Sequence, residues 1–276
     1  MAGTEPTTDT KADRFLALHR PGSPLLMPNA WDAGSAKLFE SLGFEAVATT
    51  SSGFAATLGR LDGSVSLDEA IAHSAVMVAA TDVPVSADLE NCYAEDLAGV
   101  ARTVTRALEA GLAGCSIEDY TRESDEIYEF AVAQDRVAAA AEVAHRGPAR
   151  LVLTARAENF LHGRPDLLDT IARLQAFQEM GADVLYAPGI RTAEEIRAIV
   201  TSVDRPVNVL ARSGAPTVAE LGALGVGRIS VGGAFAWVAL SAAVEAANEL
   251  RAKGTYDYFD RAMDGAKAAR AAFNRT

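Results

Sequence analysis

Acidic side chains stand at the ends of two short apolar segments that we expect to be neighbouring strands of a parallel sheet. Asp88 ends the first segment, Glu90 lies two residues further on, and Glu118 directly follows the second segment. Because side chains alternate along a strand, Asp88 and Glu90 would share one face if the chain stays extended. Like charges that lie so close raise one another's pKa unless a counter-charge is present. Singly, each acid could be a solvated strand end, but together they favour a divalent cation such as Mg²⁺, which prefers oxygen ligands and retains several waters.

An arginine and a glycine-containing turn could bind a small anion beside these acids. Arg156 follows a further apolar segment, and an inward guanidinium there could clamp a carboxylate through two hydrogen bonds. The alternative is a structural ion pair with Glu158. The turn Ser52-Gly53-Phe54 could direct backbone N–H groups at an oxygen atom, because glycine permits a close approach. Asn208, in another apolar segment, could donate a hydrogen bond to the distal part of a substrate.

Several chemistries are not indicated by these residues. The predicted strands carry no lysine, which argues against a Schiff-base mechanism. The four histidines are scattered without the spacing of a zinc site. No glycine-rich nucleotide-binding motif occurs between a predicted strand and a predicted helix.

The elements that would position these residues alternate regularly along the chain. Eight apolar segments, each followed by an amphipathic one, predict a (β/α)8 barrel of the TIM type, whose active sites form at the carboxyl ends of the strands. A doubly wound open sheet is the alternative. The predicted strands are Leu25–Met27, Ala46–Thr49, Val85–Asp88, Gly114–Ile117, Leu151–Ala155, Val184–Tyr186, Val207–Leu210 and Arg228–Val231.

No shift in composition divides the 276 residues into two domains. We predict a flexible N-terminal tail over residues 1–14 and a single barrel domain over residues 15–276. Residues 254–273 predict an additional C-terminal helix, whose aromatic side chains could pack either on a neighbouring subunit or on the same barrel.

The overall charge and the cysteine content restrict the partners and the compartment. The chain has 37 acidic and 25 basic side chains and a formal net charge of −12, which argues against binding to nucleic acid or to an anionic membrane surface. Its two cysteines form no disulfide framework. The first residues carry no signal-peptide pattern, and no apolar run is long enough to span a membrane. We therefore expect a cytoplasmic protein.

The chain resembles the isocitrate lyase and phosphoenolpyruvate mutase superfamily from about residue 15 to residue 237. The segments that carry the resemblance are Thr50-Ser51-Ser52-Gly53, Gly59-Arg60-Leu61-Asp62, Asp88-Leu89-Glu90-Asn91-Cys92-Tyr93, Ser116-Ile117-Glu118-Asp119, Thr154-Ala155-Arg156, Gly181-Ala182-Asp183 and Arg228-Ile229-Ser230-Val231-Gly232-Gly233. The resemblance implies a barrel that uses Mg²⁺, or Mn²⁺, to bind a 2-oxo acid or its enolate. It also implies a homodimer or homotetramer, often with exchange of a C-terminal helix between subunits.

The same resemblance implies roles for individual residues. Asp88, Glu90 and Glu118 match the metal-site acids of the superfamily, and Asp62 matches a further acid near the metal and the substrate. Arg156 matches the arginine that binds the substrate carboxylate. The main chain of Ser52, Gly53 and Phe54 matches the segment that holds a carboxylate or oxo oxygen. Arg156, Glu118 and Asp62 are thus the candidate catalytic residues, with Asp88 and Asn208 as further candidates for substrate contact.

Departures from the superfamily pattern narrow the activity. Isocitrate and methylisocitrate lyases carry a Lys-Cys-Gly-His type of loop where this chain has Tyr120–Glu126, which contains neither cysteine nor histidine. Pro188 stands where those lyases place a glutamate. Both changes argue against a tricarboxylate substrate. The loop's one basic residue, Arg122, is a poor match to the loop of the phosphonopyruvate enzymes.

Three functions remain open from the sequence. The first is a lyase that cleaves a carbon–carbon bond next to a 2-oxo acid through a metal-stabilised enolate, as an oxaloacetate decarboxylase does, with Tyr120, Tyr186 or a metal-bound water as the proton donor. The second is a phosphonopyruvate hydrolase or mutase that acts on a P–C bond. The third is a 2-oxo acid binding protein without turnover.

Overall fold

Eight parallel strands form a barrel in the order in which they occur along the chain. The computed structural model describes residues 10–146 and 150–274. The barrel strands are β1 (Leu25–Met27), β2 (Val47–Ala48), β3 (Val85–Ala87), β4 (Gly114–Glu118), β7 (Val152–Arg156), β8 (Val184–Tyr186), β9 (Val207–Leu210) and β10 (Arg228–Ser230), and β5 (Tyr120–Thr121) and β6 (Glu126–Ile127) form a separate antiparallel hairpin. A parallel bridge between Asn29 and Ala48 links β1 to β2 and completes the ring. The predicted (β/α)8 barrel is confirmed.

Helices follow the barrel strands and cover the outside of the barrel. They are α1 (Lys11–Ala17), α2 (Ala33–Ser41), α3 (Ser51–Thr57), α4 (Leu67–Ala80), α5 (Leu97–Glu109), α6 (Phe130–Ala144), α7 (Leu167–Glu179), α8 (Ala193–Val200), α9 (Val218–Ala223), α10 (Ala234–Lys253) and α11 (Phe259–Phe273). Ser66, Asp166 and Thr217 each accept hydrogen bonds from backbone N–H groups of the first helical turn that follows them. Such caps satisfy N–H groups that have no partner inside the helix, and this is why α4, α7 and α9 begin where they do.

Alternation along the strands separates an apolar layer from a polar interior. In β7, Leu153 and Ala155 pack in the apolar core. The residues that follow them, Thr154 and Arg156, line a cavity inside the barrel. The period of two therefore places the chemically active side chains on the inner face while the outer face stabilises the fold.

The N-terminal helix closes the end of the barrel opposite to the carboxyl ends of the strands. Its Phe15 is fully buried and packs with Leu25 and Val152. A Cβ atom on Gly114 would lie 2.7 Å from the Phe15 ring, so glycine is needed there. Residues 11–14, which we expected to be part of a flexible tail, are instead helical, because Thr10 and Asp13 cap the helix and Phe15 anchors it. Residues 1–9 of the predicted tail lie outside the described residues.

The two C-terminal helices extend the barrel domain. The helix predicted within residues 254–273 is observed as α11, and it packs on α2, where the Phe273 ring approaches Gly34. An ion pair of 3.0 Å between Arg261 and Glu245 joins α11 to α10. Both helices nevertheless leave large apolar side chains exposed, such as Val244 and Met263. Among the described helices, none combines the length and the apolar character needed to cross a membrane.

Candidate active site

A cavity of about 210 Å³ opens at the carboxyl ends of the barrel strands. Every barrel strand, or the loop after it, contributes a lining residue, which is the arrangement expected of a catalytic site in this architecture. The charged residues that line it are Asp62, Asp88, Arg156 and Arg228. Two of the predicted acids and the predicted arginine therefore face the cavity.

Arg156 connects three acidic side chains. Its guanidinium lies 3.0 Å from the Asp88 carboxylate, 3.1 Å from that of Glu118 and 2.7 Å from that of Glu158. It also lies over the Tyr186 ring, 5.3 Å from the ring centroid. The ion pair with Glu158 that we considered as the alternative is present, together with contacts to two of the predicted metal-site acids. Each guanidinium nitrogen thus has an acidic partner within the chain.

Glu90 belongs to a second ion-pair group, centred on Arg122 of the β5–β6 hairpin. Arg122 Nε lies 2.9 Å from the Glu90 carboxylate, and its Nη2 atom lies 3.1 Å from that of Asp62. The prediction that Glu90 shares a face with Asp88 required an extended chain. Instead, β3 ends at Ala87 and Glu90 has a φ of 49°, in the left-handed region. This turn directs Glu90 toward the hairpin.

The three predicted metal-site acids do not form one compact ligand set. Within residues 10–146 and 150–274, no group of three or more Asp, Glu, His or Cys side chains is arranged to hold an ion directly. The physical reason is that Arg156 holds Asp88 and Glu118 while Arg122 holds Glu90. Arg122, named above only as the basic residue of the loop, thus supplies a counter-charge to Glu90 that was not predicted from the sequence.

The acids still outnumber the arginines, and this surplus fits a divalent cation. Five carboxylates (Asp62, Asp88, Glu90, Glu118 and Glu158) surround two guanidinium groups (Arg122 and Arg156). Burial raises the pKa of Glu118 well above its usual range, although Arg156 opposes the shift. Burial likewise raises the pKa of Glu90 against the influence of Arg122. A cation near Asp88, which faces the cavity, would stabilise the ionised forms of these buried acids.

The predicted anion-binding turn, Ser52-Gly53-Phe54, lies at the cavity. Two of its backbone N–H groups form hydrogen bonds within the helix and do not point at the cavity as expected. Thr50 is the N-cap of α3 and accepts a hydrogen bond from the Gly53 N–H group at 3.3 Å. The Phe54 N–H group donates to the Thr50 carbonyl, and the Phe54 ring stacks on His73 with centroids 3.8 Å apart. Ser52 lines the cavity, and the Ser51 N–H group donates to Asp88 at 3.4 Å. The segment therefore helps to position Asp88, while its Gly53 and Phe54 amides are consumed by the helix.

Asn208 lies on the cavity wall and bonds to other side chains of the chain. Its Nδ2 atom donates to Ser230 Oγ at 2.9 Å, and its Oδ1 atom accepts from Arg228 Nε at 3.0 Å. Asn208 is 1% exposed. In this structure its amide group positions Arg228, a residue that the sequence argument did not single out although it is a charged residue within a predicted strand.

The two tyrosines considered as proton donors lie in different surroundings. Tyr186 is buried and lines the cavity. Burial raises its pKa to about 12, although Arg156 opposes the shift, so its hydroxyl keeps its proton at neutral pH. The Tyr120 hydroxyl lies 2.5 Å from Asp125 in the hairpin, and the Tyr120 ring stacks on His162. The geometry favours Tyr186 for contact with a ligand in the cavity.

The chain is similar in sequence and in structure to several known proteins. The family model described as phosphoenolpyruvate phosphomutase matches residues 15–251. A solved structure of a Burkholderia cenocepacia protein named "putative lyase/mutase" is 48% identical, with a TM-score of 0.90 over 94% of this chain and 95% of that one. An uncharacterized protein of Mycobacterium tuberculosis is 32% identical over 86% of this chain and 88% of its own length. An oxaloacetate decarboxylase of Paraburkholderia xenovorans is 34% identical over 69% of this chain and 64% of its own length.

Proposed function

Because the chain belongs to the phosphoenolpyruvate phosphomutase family, of the isocitrate lyase and phosphoenolpyruvate mutase superfamily of enzymes, we propose that it is a metal-dependent lyase. The proposed reaction cleaves the carbon–carbon bond between C3 and C4 of a small 2-oxo acid, one bond removed from the oxo carbon, with oxaloacetate as the substrate and CO₂ and pyruvate as the products. The observation that carries the proposal is the surplus of carboxylates around Asp88 at the mouth of a small closed-ended cavity.

Asp88 would hold the cation, with Glu90, Glu118 and Asp62 contributing through water. Asp88 is fixed by Arg156 at 3.0 Å and by the Ser51 N–H group at 3.4 Å. A bound divalent cation would supply positive charge to stabilise the negative charge that develops on the oxo oxygen of the substrate. Mg²⁺ and Mn²⁺ both suit carboxylate ligands.

The remaining cavity residues would orient the substrate and supply a proton. Thr50 and Ser52 place hydroxyl groups on the cavity wall, where they can donate hydrogen bonds to a carboxylate. When the carboxylate leaves as CO₂, the bonding electron pair stays on the carbon atom to which it was attached. This carbon must then gain a proton. Tyr186 would donate it, because its hydroxyl is protonated, buried and close to the positive charge of Arg156, which stabilises the resulting phenolate.

The position of Arg122 argues for a carbon–carbon bond over a P–C bond. A phosphonyl group carries two negative charges and calls for basic side chains close to it. Arg122, the basic residue of the loop, is engaged by Glu90 and Asp62. The identity of 34% with an oxaloacetate decarboxylase points the same way.

The test is to measure CO₂ and pyruvate formed from oxaloacetate by the purified chain, with Mg²⁺, with Mn²⁺ and with a chelator. We expect a metal-dependent rate that exceeds the rate of the free metal and that Asp88→Asn abolishes. Phosphate release from phosphonopyruvate would favour the P–C enzyme instead. A rate no higher than the free-metal background for both substrates would refute the lyase proposal, and ligand binding without turnover would favour the binding protein.

We also propose that α10 and α11 pack against a second copy of this chain. In the 20-residue helix α10, the described side chains include one buried residue, Ala236. Trp237 and Val244 are 48% and 58% exposed, and Phe259 and Met263 of α11 are 55% and 61% exposed. An apolar patch of this extent is typical of an interface. A helix pair offered by each of two copies would bury both patches in a symmetric dimer.

A further inference from the structure

Arg228 is a buried cation on the floor of the cavity. It is 3% exposed and is the first residue of β10. Its guanidinium donates to Asn208 Oδ1 at 3.0 Å and to Thr154 Oγ1 at 3.2 Å, and it lies 3.2 Å from His19 Nε2. A guanidinium has five N–H donors. Three meet these acceptors, and no acceptor within the described ranges meets the other two.

All three partners of Arg228 are neutral. His19 Nδ1 lies 2.8 Å from the Phe15 carbonyl, which can only accept, so His19 carries its proton on Nδ1 and presents a bare Nε2 to Arg228. Burial lowers the pKa of His19 to about 3, and the charge of Arg228 acts in the same direction. Burial lowers the pKa of Arg228 itself to about 10, which still leaves the guanidinium charged at neutral pH. The positive charge is therefore solvated by dipoles, and no carboxylate of residues 10–146 or 150–274 forms an ion pair with it.

The other arginine of the cavity is in the opposite situation. Arg156, nearer the mouth, has three acidic partners, as described above. The cavity thus has an acidic mouth and a cationic floor. Burial of a charge without a counter-charge is costly and is rarely retained without a use. Among the described residues, those that contact Arg228 are all neutral, and a ligand could supply the missing negative charge.

We propose that the cavity floor is a subsite for a second carboxylate of the ligand, and that Arg228 makes the site selective for small dicarboxylates over monocarboxylates. One carboxylate would lie at the mouth with the cation, and the other would pair with Arg228. The volume of about 210 Å³ suits a molecule of a few carbon atoms. This inference rests on the proposed function for the identity of the reacting end, because there the carboxylate at the floor would be the one lost as CO₂.

The same geometry determines how Arg228 would affect the reaction. The C–C bond breaks, its electron pair stays on the substrate carbon as the enolate, and neutral CO₂ leaves the floor. The attraction to Arg228 is thus stronger in the bound substrate than in the transition state. Such an interaction favours binding and selectivity and does not accelerate the chemical step. Substitution of Arg228 should raise KM for the dicarboxylate without lowering kcat.

The test compares L-malate with L-lactate, which lacks the second carboxylate, by isothermal titration calorimetry in the presence and absence of MgCl₂. Neither ligand needs to react. A charge-assisted hydrogen bond should make malate bind about tenfold to a hundredfold more tightly than lactate to the unmodified chain. Arg228→Gln should bring the ratio close to one. Arg197→Gln, which removes an exposed arginine of α8, should keep the ratio.

Thermal unfolding separates ligand binding from a structural role. Arg228→Met removes the buried charge and leaves Asn208 Oδ1, Thr154 Oγ1 and His19 Nε2 without their donor. Its unfolding temperature without ligand is therefore the reference for this variant, and the upward shift that malate produces in the unmodified chain should be absent from it. Equal binding of malate and lactate by the unmodified chain would overturn the proposal. An unchanged ratio of malate to lactate affinity in Arg228→Gln would also overturn it. So would an equal loss of both affinities in Arg228→Gln together with a lower unfolding temperature of this variant.

These results are independent of the decarboxylase assay. A chain that prefers malate through Arg228 but releases no CO₂ from oxaloacetate would refute the proposed reaction and retain the subsite. A chain that releases CO₂ but shows no preference for malate would retain the reaction and refute the subsite.

Discussion

Removal of Arg156 should destabilise the protein far more than removal of an exposed arginine that also forms an ion pair. Arg156→Met leaves Asp88, Glu118 and Glu158 without the guanidinium that contacts all three. Breaking a buried ion pair by removing one partner costs about 3–5 kcal/mol, because the other charge stays buried without a counter-charge. For a chain of 276 residues, that loss corresponds to a fall in unfolding temperature of roughly 5–9 °C.

The loss should depend on pH and on divalent cations. Burial already raises the pKa of Glu118, and without Arg156 the ionised form becomes still less favourable. Since the protonated form is favoured in the folded state, lowering the pH should reduce the deficit of Arg156→Met relative to the unmodified chain. Added Mg²⁺ should also reduce it, because the cation replaces part of the lost positive charge.

Thermal unfolding followed by circular dichroism at pH 5 and pH 8, with and without MgCl₂, measures these effects. The matched control is Arg106→Met, since Arg106 lies 2.7 Å from an Asp68 carboxylate that is 86% exposed. Such a surface pair contributes about 0–1 kcal/mol. If Arg156→Met unfolded at the same temperature as Arg106→Met, or if its deficit grew at pH 5, the account of the acid cluster would be wrong.

Three further predictions follow from other sites. Mg²⁺ at about one hundred times its Kd should stabilise the unmodified chain by about 2.7 kcal/mol in thermal-shift titrations, and Asp88→Asn should abolish this gain; retention of the gain would remove Asp88 from the metal site. Burial opposes ionisation of Asp183, but the hydrogen bonds from His145 and the Leu153 N–H group outweigh it and hold its pKa below its usual value. Its contribution is therefore present above the pKa of the unfolded chain and is lost as the pH falls through the lower folded value. Asp183→Asn should cost about 3 kcal/mol at pH 7 and up to about 1 kcal/mol less at pH 3, and an equal cost at both pH values would contradict this assignment. Val244→Glu on α10 should convert the oligomer to a monomer in light scattering, while Leu168→Glu, at a position 80% exposed on α7, should not; an unchanged mass for Val244→Glu would refute the proposed interface.

The barrel was predictable because its signals are local and repeated. Short apolar runs such as Leu151–Leu153 and the caps Ser66, Asp166 and Thr217 specify elements independently of distant contacts. Helix α1 was not predicted: its Thr10–Asp13 cap is a local signal, but the helix is anchored by Phe15, which packs in the barrel interior beneath Gly114. A tertiary contact of this kind leaves no periodic pattern in a segment of seven residues.

The sequence predicted which residue types form the candidate site, but it did not predict which side chains form ion pairs with one another. Asp88 and Arg156 face the cavity because strand alternation determines the direction of their side chains. Glu90 departs from the prediction because the chain turns into the left-handed region after β3. Arg122 and Arg228 approach their partners from a hairpin and from the last strand. Such partners are far apart in the chain, and the spacing of residues along it does not reveal them.

The seal that α1 forms beneath the barrel has a consequence for how the chain may be shortened. Phe15 and His19 belong to the segment before β1, yet they fill the space directly under Arg228. A version that starts at Leu25 would keep every lining residue of the cavity but open a water route to the guanidinium from below. Water would then screen the charge of Arg228, and the cavity floor would bind an anion less tightly. An amino-terminal segment remote from the reaction is thus what keeps the floor dry.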